Sequence, residues 1–274
     1  MRRKGRSMNI SRRMAMAGIG AALLIGATAS FASAQTVDTI KQAGTLKVGM
    51  LVDFPPFGIM NTSNEPDGYD ADVAKLLGKE WGVKVQIVPV TGPNRIPYLQ
   101  SNQVDLLVAS LGITEERAKS VDFSDPYAGI SVGVFGPTST QVSKPEDLSG
   151  KTIGVARAST QDTAVTKIAP KDAKIQRFDD DASAVQALLS GQVDLIGVSN
   201  VVAAQIDQAA PGRFNQKIQL TSQVQGIAVR KGSTELLAAV NAFVQKVKAD
   251  GELNKIHEKW LGAPLPDFVS AAKK

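Results

Sequence analysis

The chain of 274 residues contains no cysteine. Disulfides, thiolate nucleophiles and cysteine-ligated metals are therefore excluded. There is one histidine, His257. A single imidazole cannot furnish a histidine-rich zinc site, and a His-based catalytic triad has almost nothing to draw on. On its C-terminal amphipathic stretch His257 reads as packing rather than as a ligand. Carboxylate-only metal sites stay open, but no calcium-loop pattern occurs, and neither a metal nor a cofactor is expected. Long apolar runs are missing too. The most apolar stretch, "MAMAGIGAALLIGATAS", is rich in Gly and Ala. It falls short of the roughly 20 strongly apolar residues of a spanning helix.

A real excess of positive charge is also lacking, although the formal net charge is +5. Arg2, Arg3, Lys4, Arg6, Arg12 and Arg13 stand in a segment that has no acid. The cationic start, the small apolar middle and the "ASA" at Ala32–Ala34 read as an export signal over residues 1–34, with cleavage after Ala34. "SRRMAMAG" fits a twin-arginine signal as well as a general secretory one. Beyond Ala34, 25 basic residues face 26 acidic ones. A basic protein that seeks nucleic acid or anionic membrane is not supported. A monomer in the periplasm is expected.

Two stretches repeat. "LQSNQVDLLVAS" (Leu99–Ser110) and "LLSGQVDLIGVS" (Leu188–Ser199) are identical at seven of twelve positions. Each occupies the same slot in an alternating pattern. In the first module, "TLKVGML" reads as a strand and "FPPFG" as a loop, because proline cannot sit in a central strand. "YDADVAKLLGKEWG" has helical spacing, "VKVQIVPV" alternates as a strand, and "NRIPYLQS" is a short helix that Asn102 ends. "VDLLVAS" is then a buried strand of the kind helices cover on both faces. The second module starts near Leu148. It runs through "GKTIGVA", a helix capped by Ser159 or Thr160, "AKIQRF", "DASAVQALLS" and "VDLIGVS". The fold class is α/β, with two doubly wound modules. "DPYAGISVGVFGP" and the stretch near Thr221–Gly226 read as the crossings between them. The helical tail after Gly232 has no sheet of its own and must pack on one module. In open α/β sheets ligands sit beyond the carboxyl ends of strands, where Ser110 and Ser199 both lie.

The stretches "VDFPPFG", "GYDADVAKLL", "VDLLVASLGITEERAKSVDFSDPYA", "DLSGKTIGVARASTQD" and "DGELNKIHEKWLG" occur in one order along the chain. Together they resemble the amino-acid-binding members of bacterial extracellular solute-binding protein family 3, the periplasmic components of ABC importers. The resemblance implies a type II periplasmic-binding-protein fold, a Venus-flytrap of two lobes joined by two crossover strands. Lobe 1 is expected at 35–130 plus 224–274, and lobe 2 at 131–223. It further implies closure around one small carboxylate-bearing solute and delivery to a membrane permease.

Residue by residue, the resemblance implies that Arg117 grips the ligand α-carboxylate, a task suited to a planar guanidinium fork. Ser159 and Thr160 give the second carboxylate contact at a helix N-terminus. Ser110 and the Gly112 backbone meet the ligand's ammonium and carboxylate groups. Phe54 and Phe57 form an aromatic wall, whereas Tyr69 reads as packing. Arg95 resembles the second cation of the glutamate/aspartate-binding branch, so the solute is read as a polar amino acid with a lean to that type. Two departures stand against this. The acid expected for the ammonium near Ser199 or Asn200 is absent, leaving two uncharged hydrogen-bonding residues. Leu51 stands where acidic-ligand relatives often carry a further cation. Asp53 is the nearby acid able to replace the missing charge. The alternatives on this scaffold are a cyclohexadienyl-dehydratase-like enzyme, which needs a carboxylic acid in the cleft, and a sensing partner of a membrane receptor. A binding protein, not an enzyme, is expected.

Overall fold

The computed structural model describes residues 35–271. In chain order it contains α1 (Val37–Ala43), β1 (Thr45–Leu51), the small hairpin β2 (Ile59–Met60) and β3 (Pro66–Asp67), α2 (Tyr69–Trp81), β4 (Lys84–Val90), α3 (Arg95–Gln100), β5 (Leu106–Leu107), α4 (Glu115–Ala118) and the long β6 (Val121–Pro137). A 3-10 turn at Pro145–Leu148 leads to β7 (Thr152–Ala156), α5 (Thr160–Ile168), β8 (Lys174–Phe178), α6 (Asp181–Leu189), β9 (Leu195–Ser199) and α7 (Asn200–Ala209). The long β10 (Phe214–Arg230), α8 (Thr234–Ala249), α9 (Glu252–Leu261) and α10 (Asp267–Ser270) complete it. The export signal read over residues 1–34 lies outside the described residues.

The two modules expected from the alternating pattern are both present and have the same strand order. In the first, β1 pairs in parallel with β4 on one side and β5 on the other. In the second, β7 pairs in parallel with β8 and β9. Each is thus ordered second-first-third, the arrangement of a doubly wound sheet. Each then receives one antiparallel neighbour from the opposite crossing. β10 runs beside β5, and β6 runs beside β9. Because β6 and β10 pair with each other along almost their whole length, the ladder continues from β4 through to β8. The repeated sentence therefore falls on the same place twice: a helix end, a turn, and the third strand of a half-sheet.

The elements follow from local chemistry. β1 buries Leu46, Val48 and Met50 completely, and Val104, Leu106 and Leu107 opposite are buried as well. α2 presents Val73, Ala74, Leu77 and Trp81 inward and ends at Gly82, whose φ of 68° is the left-handed cap position that glycine takes without steric cost. α3 ends where Asn102 adopts φ 60°. Ser159 is the N-cap of α5, accepting from the Asp162 amide at 3.0 Å, and Thr160 is the first helical residue. The tail packs on the first module. The Trp260 indole N–H and Lys259 Nζ of α9 reach Asp72 of α2 at 2.8 and 2.6 Å. Asn241 and Gln245 of α8 hold the backbone and side chain of Asp125.

The crossings lie over the expected stretches and extend beyond them. Both are 17-residue strands. Their ladder shifts register between Gln216 and Ile218, Gln219 and Thr221, Gln225 and Gly226, and Gly226 and Ala228. Each such irregularity inserts an unpaired residue, bends the strand and increases its twist. The expected lobe boundaries at 130/131 and 223/224 would fall midway along these strands, where Ile130 pairs with Gln223.

Candidate functional site

A cavity of about 490 Å³, counted with its open mouth, lies between the two modules. Its first wall carries Leu51, Asp53 and Phe54 after β1, Gly92 and Arg95 around the start of α3, and Ser110 after β5. Its second wall carries Ala156, Arg157, Ser159, Thr160 and Gln161 at the β7–α5 turn and the run Asp179–Asp181 between β8 and α6. Ile130 of β6 closes it on the crossing side. Every wall segment stands at the carboxyl end of a parallel strand or beside one, the place where open α/β sheets bind ligands.

Ser110, three residues beyond β5, has φ 47°, an uncommon conformation for a residue with a Cβ. A buried network holds it there. Its amide donates to the Tyr127 hydroxyl at 3.2 Å, its Oγ donates to Asp70 Oδ2 at 2.9 Å, and the Tyr127 hydroxyl donates to Asp70 Oδ1 at 2.7 Å. The Tyr69 hydroxyl donates to the Tyr127 carbonyl at 2.8 Å. Asp70 is fully buried, and that desolvation pushes its pKa up to about 7 against the opposing hydrogen bonds from Tyr127 and Ser110. Sequence reading missed this acid because an Asp in a first helical turn reads as a complement to the helix dipole. The available signal was its phase, since Asp70 shares the buried face of α2 with Val73, Ala74, Leu77 and Trp81.

Two arginines of the first module reach the second. Arg95, only 5 % exposed, donates from Nη1 to the Ala109 carbonyl at 3.0 Å and from Nη2 to the Ala158 carbonyl at 3.4 Å. Arg117, carried by α4 with Thr114 as its N-cap, donates to the carbonyls of Gly112 and Ala158, both at 2.9 Å. One carbonyl oxygen thus serves two guanidinium groups. Burial lowers the Arg117 pKa to about 10. Burial and then the charge of Arg117 lower that of Arg95 to about 9, so both remain cations at neutral pH.

The residues singled out from the sequence are distributed unevenly. Phe54, Arg95, Ser110, Ser159 and Thr160 line the cavity. Phe57 sits behind Phe54, stacked at 5.6 Å between ring centres, and is fully buried against Tyr69. Gly112 and Arg117 stand off the lining, although the Gly112 carbonyl holds Arg117. A Cβ on Gly112 would come within 2.2 Å of the Gln223 amide group, the flexible end of a side chain that would have to shift. Ser199 is fully buried as the N-cap of α7, its Oγ accepting from the Val202 amide at 3.3 Å. Asn200 accepts from the Ser131 amide at 3.1 Å and lines a separate, larger groove with Pro56, Gln205 and Trp260.

The acids of the second wall went unrecognised in the sequence. Asp180 caps α6 through the Ser183 amide at 2.6 Å. Asp181 accepts from Gln161 Nε2 at 2.9 Å, and burial pushes its pKa up to about 6. Asp53 faces them from the first wall, and its pKa is raised by burial first and by Asp180 second. A run of three Asp before a helix reads as a cap and solvated neighbours, and nothing local marks it as cavity lining.

The cavity thus combines the buried guanidinium of Arg95, a helix N-terminus and a group of carboxylates between twin α/β halves, with the half-buried Arg117 standing beside it. Such an arrangement has the means to hold a small charged or zwitterionic molecule. The sequence profile described as bacterial extracellular solute-binding proteins, family 3, matches residues 46–263. The L-cystine-binding protein TcyJ of Escherichia coli K12 is 29% identical over 262 residues, covering 92% of this chain and 97% of the relative. The ABC transporter glutamine-binding protein GlnH of Bacillus subtilis is 33% identical over 232 residues, covering 82% and 84%. Among solved structures, the ancestral amino acid-binding protein AncCDT-1, a precursor of cyclohexadienyl dehydratase, superposes with a TM-score of 0.76 at 36% identity, covering 82% of this chain and 99% of that one. With the profile spanning both halves and the cleft between them, the chain belongs to family 3 of the bacterial extracellular solute-binding proteins.

Proposed function

We propose that this protein is the periplasmic solute-binding component of an ABC importer, and that it captures a small polar amino acid between two lobes and presents it to a membrane permease. Lobe 1 comprises 35–130 plus 224–274 and lobe 2 comprises 131–223, with β6 and β10 as the hinge. The observation that carries this reading is the cation corner: Arg95 and Arg117 from one lobe converge on the α5 N-terminal turn of the other at Ala158. A ligand carboxylate placed there joins the lobes through charge-assisted hydrogen bonds from Arg117 and Arg95 and through the free N–H groups beside Ser159 and Thr160. Contacts to both lobes favour the closed state, which is how a ligand shifts such an equilibrium.

In the alternative arrangement each guanidinium takes one carboxylate, which favours a glutamate- or aspartate-type ligand. A thermal-shift screen over the amino acids separates these readings, because a ligand of the folded state raises apparent stability. Calorimetry on Arg117→Ala then tests the corner. Each charge-assisted bond contributes roughly 1.5–3 kcal/mol, so losing Arg117 weakens binding on the order of 100-fold while leaving the fold intact. Undiminished affinity would overturn the assignment.

A second reading, a cyclohexadienyl-dehydratase-like enzyme, is favoured by the likeness to AncCDT-1 and by the Asp181 carboxyl in the cavity, whose raised pKa suits a general acid. Turnover of prephenate or arogenate by the purified protein would establish it, and its absence rejects it.

A further inference from the structure

The acid that would meet a ligand ammonium near Ser199 and Asn200 is missing, and the structure shows both residues otherwise engaged. The Ser199 Oγ caps α7 and the Asn200 Oδ1 holds the Ser131 amide. Asp53 and Asp181 come instead from opposite walls of the cavity. Both also line an adjoining pocket of about 650 Å³ walled by Pro55, Val185, Leu189 and Ile206, so they stand at the join between the two spaces. Resting on the amino-acid-binding reading above, we propose that Asp53 of lobe 1 and Asp181 of lobe 2 together receive the ligand's ammonium group across the cleft.

Two independent features support this. First, among the described residues Asp53 and Asp181 make no ion pair, whereas the neighbouring Asp179 pairs with Arg157 at 3.6 Å. Arg95 acts on both acids only through its field. Arg95, 95 % buried on the same lining, donates only to the backbone carbonyls of Ala109 and Ala158. A guanidinium has five N–H donors, so Arg95 retains donors for a ligand. A zwitterion supplies what each end lacks, a carboxylate at Arg95 and an ammonium at the acids. Second, the acids arise from both lobes. An ammonium group has three donors and bridges Asp53 to Asp181, and it relieves the repulsion that closure creates between them. The groups facing this pair are Asp180, Arg95 and Gln161, and only Arg95 carries positive charge.

The side-chain end of the ligand then points toward the adjoining pocket, whose walls are largely apolar beyond the two acids. An amino acid with an extended side chain fits this path better than one with a compact side chain.

The test compares each amino acid with its counterpart lacking the ammonium: L-glutamine with glutaramate, L-glutamate with glutarate, and L-arginine with δ-guanidinovalerate. Calorimetry is run on the wild-type protein, on Asp53→Asn, on Asp181→Asn and on the double variant, with melting temperatures of the unliganded proteins as folding controls. The expected result is a wild-type preference for the ammonium-bearing partner on the order of 10- to 100-fold, which shrinks in each single variant and vanishes in the double one. Variants that fold and retain the full wild-type preference would overturn the ammonium assignment and leave the binding-protein reading intact. Failure of every amino acid, including those of the thermal-shift screen, to bind the wild-type protein would overturn both.

Discussion

Ser110, just beyond β5, and Ser199, at the end of β9, occupy the same place in two similarly built half-sheets, yet their surroundings are opposite. Ser110 turns into left-handed backbone at φ 47° and lines the cavity. Ser199 stays extended at φ −78°, and its hydroxyl is consumed by the first turn of α7. The residues that follow decide this. After Ser110 come Leu, Gly and Ile, which carry the chain across to a bridge between Gly112 and Gln225. After Ser199 a helix begins at once, so the same hydroxyl becomes a cap. Position in a sheet brings a residue to the cleft, and the next turn decides whether its hydroxyl joins a buried network at the cavity wall or caps a helix away from it.

Three experiments break or sharpen that contrast. The largest effect belongs to Asp70, which supports Ser110 and has no counterpart at Ser199. Asp70→Ala strands the Tyr127 and Ser110 hydroxyls in a buried site. Unpaired buried donors cost about 1–3 kcal/mol each, so urea denaturation should show a loss of roughly 3 kcal/mol. A loss comparable with that of a surface substitution would mean the network does not hold the strand end.

The next effect is a pH slope. The folded pKa of Asp70 is about 7, against an unfolded value near 3.8. Between these values the folded state keeps a proton that the unfolded state releases. Its contribution to stability is full below the unfolded pKa and is lost as pH rises through about 7. Stability therefore falls with rising pH in this window by at most about 1.4 kcal/mol per pH unit. Asp181, raised to about 6, adds a contribution of the same sign. The difference between wild type and Asp70→Asn isolates Asp70, and identical slopes in the two proteins would remove it as the source.

The smallest effect belongs to the other strand end. Ser199→Ala removes an N-cap and should cost about 1 kcal/mol in thermal unfolding. Ligand affinity should stay within a factor of two of wild type, and a larger drop would return Ser199 to the binding site.

Much of the fold was legible because periodicity and punctuation agreed. The strand Thr45–Leu51 and the helix beginning at Tyr69 lie where alternation and helical spacing placed them. The full reach of β10 was not legible, because Phe214–Gln225 is mostly polar and its pairing with β6 depends on a partner about ninety residues away. α7 was not legible, because a serine that closes a buried strand has the same local sequence whether or not it caps a following helix. For the candidate site, strand ends were readable, since topology alone sends them toward the cleft. The Asp179–Asp181 wall was not readable, because a solvated acid and a cavity acid have the same sequence. Asp70 was hidden for the opposite reason: a charge was not expected on a buried helix face.

The shared carbonyl of Ala158 has a further consequence. It occupies donors of Arg95 and Arg117 that, on the proposed function, a ligand carboxylate would also take. On that reading the protein carries a tethered competitor for its own ligand. Affinity would then reflect the exchange of a neutral oxygen for a charged one, and an uncharged amide in place of the carboxylate would gain little from it. Selectivity for an anion at this corner would arise from the resident carbonyl as much as from the two arginines it occupies.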